Sequence, residues 1–408
     1  MRPPTRVHSE VTDDSKNDDT TPQLLGVLDS TAETAPARRQ LGELERNLSH
    51  ALSIHSVVST SSSFAQRQAA AQLENKQPFT KIGAGACGAI FAQDGKSLVM
   101  KLAKTTGQDL WNDYSMHTLI FEKMRACKAE VQVPEPYFFV PHDNEDYFNK
   151  HATLLEAAKD ICNFPTNVLV TERIIPLPQI TRALLIEKYC VQHLQQAALT
   201  DRANRDCIVR VYLGSLKGRS GRRFFSLRNF KLHLNQLAEL DMDLGTIASQ
   251  MAKALAIMHW SAKTDARDVE FALGSSSHKV PVSPKSYAEI SKMPPGSFTG
   301  PPSGLSEDFF HRTTELWLLD FNQVRSVTFD QGGVEQMIDA FKVNDPYFPR
   351  PLQDDQLAKT LWNQFVESYL RMAGSILVDH ERQIQELPRR FLRGIINLEQ
   401  SKAAGNQT

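Results

Sequence analysis

The fold is decided by Lys81-Ile82-Gly83-Ala84-Gly85-Ala86-Cys87-Gly88-Ala89-Ile90-Phe91 and by Val99-Met100-Lys101-Leu102-Ala103, which follows it. The pattern predicts a strand, a glycine turn and a second strand, then an Asp94-Gly95 hairpin and a third strand with one lysine among apolar residues. Because glycine has no Cβ, the backbone at Gly83, Gly85 and Gly88 can approach a polyphosphate closely. Lys101 can reach the same phosphates. The stretch predicts a nucleotide site; an ordinary glycine turn is the alternative.

The elements that follow this stretch extend the interpretation. The sequence predicts a helix over 109–127, with apolar residues at steps of three and four, and then strands over 136–140 and 167–172. Three strands, a helix and two strands in this order resemble the small lobe of protein kinases. The resemblance implies an α+β, bilobal protein-kinase-like fold, with a small β-rich lobe over 76–178 and a mainly helical large lobe over 179–400.

The kinase resemblance also implies a partner for the strand lysine. Glu122 lies 21 residues after Lys101, inside the first long helix. An ion pair between the two side chains would hold the lysine toward the phosphates. Glu122 is therefore predicted to support cofactor binding, and a solvated helix glutamate is the alternative.

Two acidic residues in the second half of the chain predict a magnesium site. Leu318-Leu319-Asp320-Phe321-Asn322 resembles the Asp-Phe-Gly motif of kinases, with Asn in place of Gly. Asp268 precedes a predicted short strand, near the place of the second metal ligand of a kinase. Mg²⁺ takes oxygen ligands from one or two carboxylates and from substrate phosphates. The resemblance thus implies ATP and Mg²⁺ as cofactors, with Asp268 and Asp320 on the metal; a turn-capping aspartate is the alternative for Asp320.

The region expected to supply the catalytic base departs from the kinase pattern. His259 is followed by Trp260 and Ser261, so a serine occupies the slot of the catalytic aspartate. A hydroxyl cannot accept a proton as a carboxylate can. Asp265 is the remaining candidate for the base, provided that a longer loop bulges toward the substrate. We expect a kinase-like nucleotide-binding protein with weak or absent phosphoryl transfer, or a pseudokinase-type regulatory module whose cleft organises the fold.

Several segments also resemble an uncharacterised fungal domain family whose members are often labelled zinc finger proteins. Besides the glycine loop, these are Met258–Phe271 with its Asp-Ala-x-Asp-Val-Glu-Phe box, Leu316–Asn322 and Asn344–Pro351. The likeness runs from about Phe79 to Leu377. It implies a fungal intracellular protein and brings no established activity.

Cysteine spacing argues against the zinc label. The chain has five cysteines and no Cys-x-x-Cys pair, and Cys190-x-x-His193 has no second ligand pair at zinc-finger spacing. A zinc-binding nucleic-acid protein is thus the remote alternative. A net charge of −1 predicts no general attraction to nucleic acid, and the basic turn over 217–223 is interpreted as a solvated hairpin tip.

Composition predicts where the chain is ordered and where the protein resides. Residues 1–75 are polar and are expected to form a disordered tail, apart from a short amphipathic helix over 41–52. The Ser/Pro/Gly-rich segment 274–304 is expected to be a disordered insertion. The N-terminus lacks the apolar core of a signal peptide, and no apolar run approaches the ~20 residues that span a bilayer. We expect an intracellular protein, cytoplasmic or nuclear, with an unidentified protein partner.

Overall fold

The computed structural model describes residues 42–59, 78–85, 88–104, 109–219, 224–279, 291–292, 294 and 307–405, with backbone alone at 57–59, 277–279 and 307–312. The fold is α+β, with two five-stranded sheets and a large group of helices. Most of the predicted tail over 1–75 and most of the predicted insertion over 274–304 lie outside the described residues.

The first sheet contains the glycine-rich hairpin. Its strands are β2 (Phe79–Ala84), β3 (Gly88–Gln93), β4 (Leu98–Ala103), β5 (Pro136–Val140) and β6 (Val168–Glu172). They are ordered β2-β3-β4-β6-β5, and all neighbours are antiparallel. The predicted order of three strands, a helix and two strands is confirmed, and the helix is α2 (Asp109–Ala126). Two short helices that were not predicted, α3 (Glu145–Lys150) and α4 (Ala152–Ala158), lie between β5 and β6.

The second sheet forms the opposite wall of a cleft. Its strands are β1 (Val57–Ser59), β7 (Val209–Tyr212), β8 (Phe230–His233), β9 (Glu270–Lys279) and β10 (Glu307–Leu319), ordered β1-β10-β9-β7-β8. β7 and β8 are parallel, and the other neighbours are antiparallel. The predicted insertion begins too early, because β9 continues through 274–279 while paired with β10.

The predicted N-terminal helix is present and belongs to the core. Helix α1 (Glu43–Leu52) buries Leu48 and Leu52 completely and packs against α5 (Gln179–Tyr189). Lys188 of α5 lies 2.7 Å from Glu45 and 2.8 Å from Glu239. The helix that the sequence predicts over 41–52 is thus part of the core.

The remaining helices follow β6 in the chain, and several pack on one another. Extended backbone at Cys190 and Val191 separates α5 from α6 (Gln192–Thr200). The others are α7 (Leu234–Glu239), α8 (Leu244–Ala256), α9 (Gln331–Val343), α10 (Gln356–Ile376), α11 (Arg382–Gln385) and α12 (Leu387–Gly405). α8 packs on α10, and α9 packs on α12. Within the described ranges, every helix is too short or too polar to cross a membrane.

His259 lies in this helical core. A π-helical turn over Ile257–Ser261 follows α8 and places His259 and Trp260 beside α10. The indole Nε1 of Trp260 donates to the Tyr369 hydroxyl at 2.9 Å, and that hydroxyl lies 2.8 Å from Nδ1 of His259. Burial lowers the pKa of His259 to about 3. His259, at which the kinase pattern would begin its catalytic loop, is thus a neutral histidine in the core.

Candidate functional site

A cavity of about 260 Å³ lies between the two sheets. Its walls come from the glycine hairpin, β4, the end of β6, the start of β7, and the segments around Asp268 and Asp320. Among the predicted site residues, those that line it are Gly83, Gly85, Gly88, Lys101, Asp268 and Asp320.

Lys101 is held by two carboxylates inside this cavity. Its Nζ lies 2.7 Å from Oδ2 of Asp113 and 3.0 Å from Oδ1 of Asp320. Burial lowers the pKa of Lys101, but the charges and hydrogen bonds of Asp113 and Asp320 outweigh it and raise the pKa above its ordinary value. The ammonium group therefore remains charged, with a fixed position beneath the hairpin.

The partner of Lys101 in α2 is Asp113, and the predicted ion pair with Glu122 is wrong. Asp113 is buried, and its Oδ1 also accepts a hydrogen bond of 3.2 Å from the backbone N–H of Phe321. Glu122 follows Asp113 by nine residues (122 − 113), which at about 100° per residue places it on the opposite face of the helix. It is exposed to solvent. The sequence signal for Asp113 was available, because it shares the helical spacing of the buried Leu110 and His117.

The glycine hairpin covers the lysine. The N–H of Gly85 donates to the carbonyl of Gly88 at 2.9 Å, and Lys104 Nζ donates to the carbonyl of Gly85 at 2.5 Å. A Cβ at Gly88 would lie 2.8 Å from the Leu102 carbonyl oxygen and 3.1 Å from Cγ of Lys101. Glycine is therefore required at this position for β3 to lie close to the lysine strand. The turn residues 86 and 87 lie outside the described residues.

Asp268 and Asp320 lie at the floor of the same cavity. Both have left-handed backbone conformations, with φ of 61° and 66°. Asn344 holds the loop before β9, because its Oδ1 accepts from the N–H of Asp268 at 2.7 Å and its Nδ2 donates to Ala266 at 2.9 Å. Burial, and then the charge of Asp320, raise the pKa of Asp268. The structure thus brings together two carboxylates that lie 52 residues apart (320 − 268).

Asp265 does not line the cleft, and its prediction as catalytic base is contradicted. It is buried and accepts hydrogen bonds from the backbone N–H of Arg267 at 3.1 Å and of Arg325 at 3.0 Å. Its Oδ2 also accepts from Nε of Arg325 at 2.7 Å and from Nε2 of Gln336 at 3.0 Å. The reason is a bridge between Thr264 and Ser326, which turns the carboxylate inward toward the loop after Asp320. Asp265 is a structural residue.

Glu270 and Arg210 were not identified from the sequence. They line the cavity and form an ion pair of 2.5 Å. Burial raises the pKa of Glu270 to about 7, with Asp320 and Asp268 adding to the effect and Arg210 opposing it. Glu270 is the first residue of β9, two residues after Asp268.

A second part of the cleft is apolar and includes a backbone segment without hydrogen-bond partners among the described residues. Apolar residues that line it are Ile82, Ile90, Val99, Leu169 and Leu319. Ile174 also lines the cavity, and its backbone N–H and C=O have no hydrogen-bond partner among the described residues. Neighbouring amides are paired, since Arg173 donates to Ser97 at 2.8 Å and the Ile175 carbonyl accepts from Ser275 at 2.8 Å.

Comparison with known proteins supports a family label over part of the chain. A protein-family model described as "Zinc finger protein" matches residues 316–381. No curated protein matches the chain. The matched segment includes Asp320, contains no cysteine and has one histidine, His380. In the described parts of the chain, no group of three or more His, Cys, Asp or Glu side chains is placed to hold a metal ion.

Proposed function

We propose that the protein is a kinase-like, bilobal nucleotide-binding protein whose ligand is ATP with Mg²⁺. The observation that carries the proposal is the position of Lys101, fixed between Asp113 and Asp320 beneath the Gly83–Gly88 hairpin. A buried ammonium group of fixed position, next to a strand pair that only glycine allows to close, suits an anionic polyphosphate.

The apolar end of the cleft suits a purine base. Side chains of Ile82, Ile90 and Val99 on one side and Leu319 on the other offer the flat apolar surface that an aromatic ring buries well. The unpaired N–H and C=O of Ile174 can satisfy one acceptor and one donor on the edge of the base. A ligand that fills both ends would leave its phosphates at Lys101.

Magnesium would be held jointly by protein and nucleotide. Asp320 and Asp268 supply carboxylate oxygens, and the phosphates would complete the coordination, as Mg²⁺ commonly requires. Shared coordination would be needed here, because no group of three or more His, Cys, Asp or Glu side chains among the described residues is placed to hold a metal ion. The ion would also offset the burial and the charge of Asp320, which together raise the pKa of Asp268.

If phosphoryl transfer occurs, Asp265 does not supply the base, because its carboxylate is buried outside the cavity lining. One observation favours the second candidate, a pseudokinase-type regulatory module. Lys101 is already neutralised by two carboxylates, so it offers less net positive charge to a transferred phosphate.

The proposal is tested by nucleotide titration of the full chain. ATP with Mg²⁺ at a hundred times its Kd should raise the free energy of unfolding by about 2.7 kcal/mol, seen as an increase in melting temperature. Lys101→Met should weaken ATP binding in calorimetry at a temperature well below unfolding, whereas Lys359→Met, at an exposed position on α10, should not. A flat titration at millimolar ATP would refute nucleotide binding.

Two further measurements separate the alternatives. Mg²⁺-dependent release of γ-phosphate that Asp320→Asn abolishes would support catalysis, while ATP binding without turnover would favour the regulatory module. Metal analysis of purified protein tests the zinc label. Stoichiometric zinc would contradict the nucleotide assignment of the acidic pair and favour the remote alternative.

A further inference from the structure

Three arginines line the cleft, and they differ in whether a carboxylate neutralises them. Arg173 lies 2.7 Å from Asp206, and Arg210 lies 2.5 Å from Glu270. The side chain of Arg228 has no ion-pair or hydrogen-bond partner among the described residues, and its Nε is shielded from solvent without an acceptor. A desolvated donor on a cationic group is destabilising until an acceptor reaches it. Arg228 therefore has an unused capacity to bind an anion.

Arg228 lies beside the apolar end of the cleft. Arg228 and Asn229 immediately precede β8, whose first residue pairs with Val209 at the start of β7. The chain just before β7 is joined to the segment that follows β6, because Leu177 N–H donates to the carbonyl of Cys207 at 2.9 Å. Lys101, in contrast, is held from α2 and from the end of β10. Arg228 and Lys101 thus lie on different walls of the cleft.

We infer that Arg228 forms a second anion subsite, which binds a phosphate group on the ribose of the nucleotide. The inference rests on the proposed function: a base at Ile174 and phosphates at Lys101 leave the ribose between them, on the side of β7 and β8. A guanidinium group presents paired N–H donors that match phosphate oxygens. Asn229 lines the cavity beside it, and its left-handed backbone, with φ of 55°, shapes the turn. The expected ligand is an adenine nucleotide with an additional 2′- or 3′-phosphate.

The test compares nucleotides that differ by that one group. Wild-type protein is titrated calorimetrically with AMP, adenosine 3′,5′-bisphosphate, adenosine 2′,5′-bisphosphate, and inorganic phosphate with and without AMP. One bisphosphate should bind at least about tenfold more tightly than AMP, a difference of about 1.4 kcal/mol. Arg228→Gln should remove this preference and leave AMP binding within about twofold. Arg205→Gln, at an exposed position before β7, is the matched control and should change neither.

The outcomes distinguish this inference from the proposed function. If AMP binds but Arg228→Gln affects no ligand, the subsite is refuted and nucleotide binding stands. If AMP does not bind but inorganic phosphate binds in an Arg228-dependent way, the anion subsite stands without its ribose assignment, and the ATP titration alone decides the proposed function. If inorganic phosphate alone reproduces the effect in the presence of AMP, the anion is a separate ligand and the ribose-phosphate inference is wrong. Arg228→Lys, which keeps the charge, should retain part of the preference, and equal melting temperatures show that the variants are folded.

Discussion

Replacing Asp265 or Asp268 by asparagine should have opposite effects on stability and on ligand binding. In Asp265→Asn, one oxygen can still accept from the backbone N–H groups of Arg267 and Arg325. The new amide NH₂ then faces Nε of Arg325 and Nε2 of Gln336, which are both donors. The substitution thus converts two hydrogen bonds to a buried carboxylate into donor–donor contacts.

The loss of stability in Asp265→Asn depends on whether Arg325 and Gln336 can find other hydrogen-bond acceptors. Hydrogen bonds to a charged group contribute about 1.5–3 kcal/mol each, so two of them set an upper range of about 3–6 kcal/mol. The side chain of Arg325 is 49% exposed and can turn to water, which favours the lower end. We expect a loss of about 3 kcal/mol in the free energy of unfolding, or roughly 5 °C in melting temperature.

Asp268→Asn should leave stability nearly unchanged. Burial and the charge of Asp320 raise the pKa of Asp268, so removal of the charge relieves an unfavourable interaction. The expected change in unfolding free energy is within about 0.5 kcal/mol. Magnesium-dependent ATP binding should instead weaken, because one of the two carboxylates is lost.

Urea unfolding at pH 7 and calorimetric titration with ATP and Mg²⁺ measure both quantities on the same preparations. Asp265→Asn should shift the unfolding midpoint and keep the wild-type Kd below its transition. A wild-type midpoint for Asp265→Asn, together with lost ATP binding or turnover, would refute the structural role and return Asp265 to the cleft.

Three further substitutions test the electrostatics of the cleft and of helix α2. Asp113→Asn should lower the free energy of unfolding by about 3 kcal/mol, because it removes one partner of a buried ion pair with Lys101. Glu122→Gln, at an exposed position of the same helix, should change it by less than about 0.5 kcal/mol. Urea unfolding measures both, and equal effects would contradict the helix geometry. Burial raises the pKa of Glu270 from 4.5 to about 7, so between these pH values the folded chain retains a proton that the unfolded chain has lost. The free energy of unfolding should therefore fall by up to roughly 3 kcal/mol as the pH rises from 4.5 to 7. Unfolding of Glu270→Gln as a function of pH should lack this contribution, and an unchanged slope would show that Glu270 titrates normally.

Local sequence patterns sufficed for the strands of the first sheet. The glycine turn, the Asp94-Gly95 hairpin and the alternation of apolar residues define β2, β3 and β4 within a few residues. Motif order also predicted that Lys101 and Asp320 share one cavity, although 219 residues separate them. These features depend on backbone conformation near each motif or on the order of motifs, and both are visible in the sequence.

The wrong assignments came from counting residues along the chain instead of considering helix geometry. Glu122 was chosen for its distance in sequence from Lys101, yet a helix residue faces the strand only if its angular position matches. Asp113 lies on the buried face with Leu110 and His117, and it satisfies this condition. A charged residue within the apolar spacing of a helix was therefore the more informative signal.

The acids before β9 could not have been assigned by local reasoning, because distant segments decide which one faces the cleft. Asp265 is turned inward by Arg325 and by the Thr264–Ser326 bridge, roughly sixty residues along the chain. Asp268 is fixed by Asn344, which binds its N–H and thereby stabilises the left-handed backbone at that residue. A left-handed conformation is unfavourable for a non-glycine residue and persists only when its surroundings impose it. Asp268 and Asp320 both carry this strain, and both line the cavity. Among the described non-glycine residues with a left-handed backbone, those that line the cavity are Asn229, Asp268 and Asp320, so the two carboxylates of the proposed metal site lie on backbone that local sequence patterns do not define.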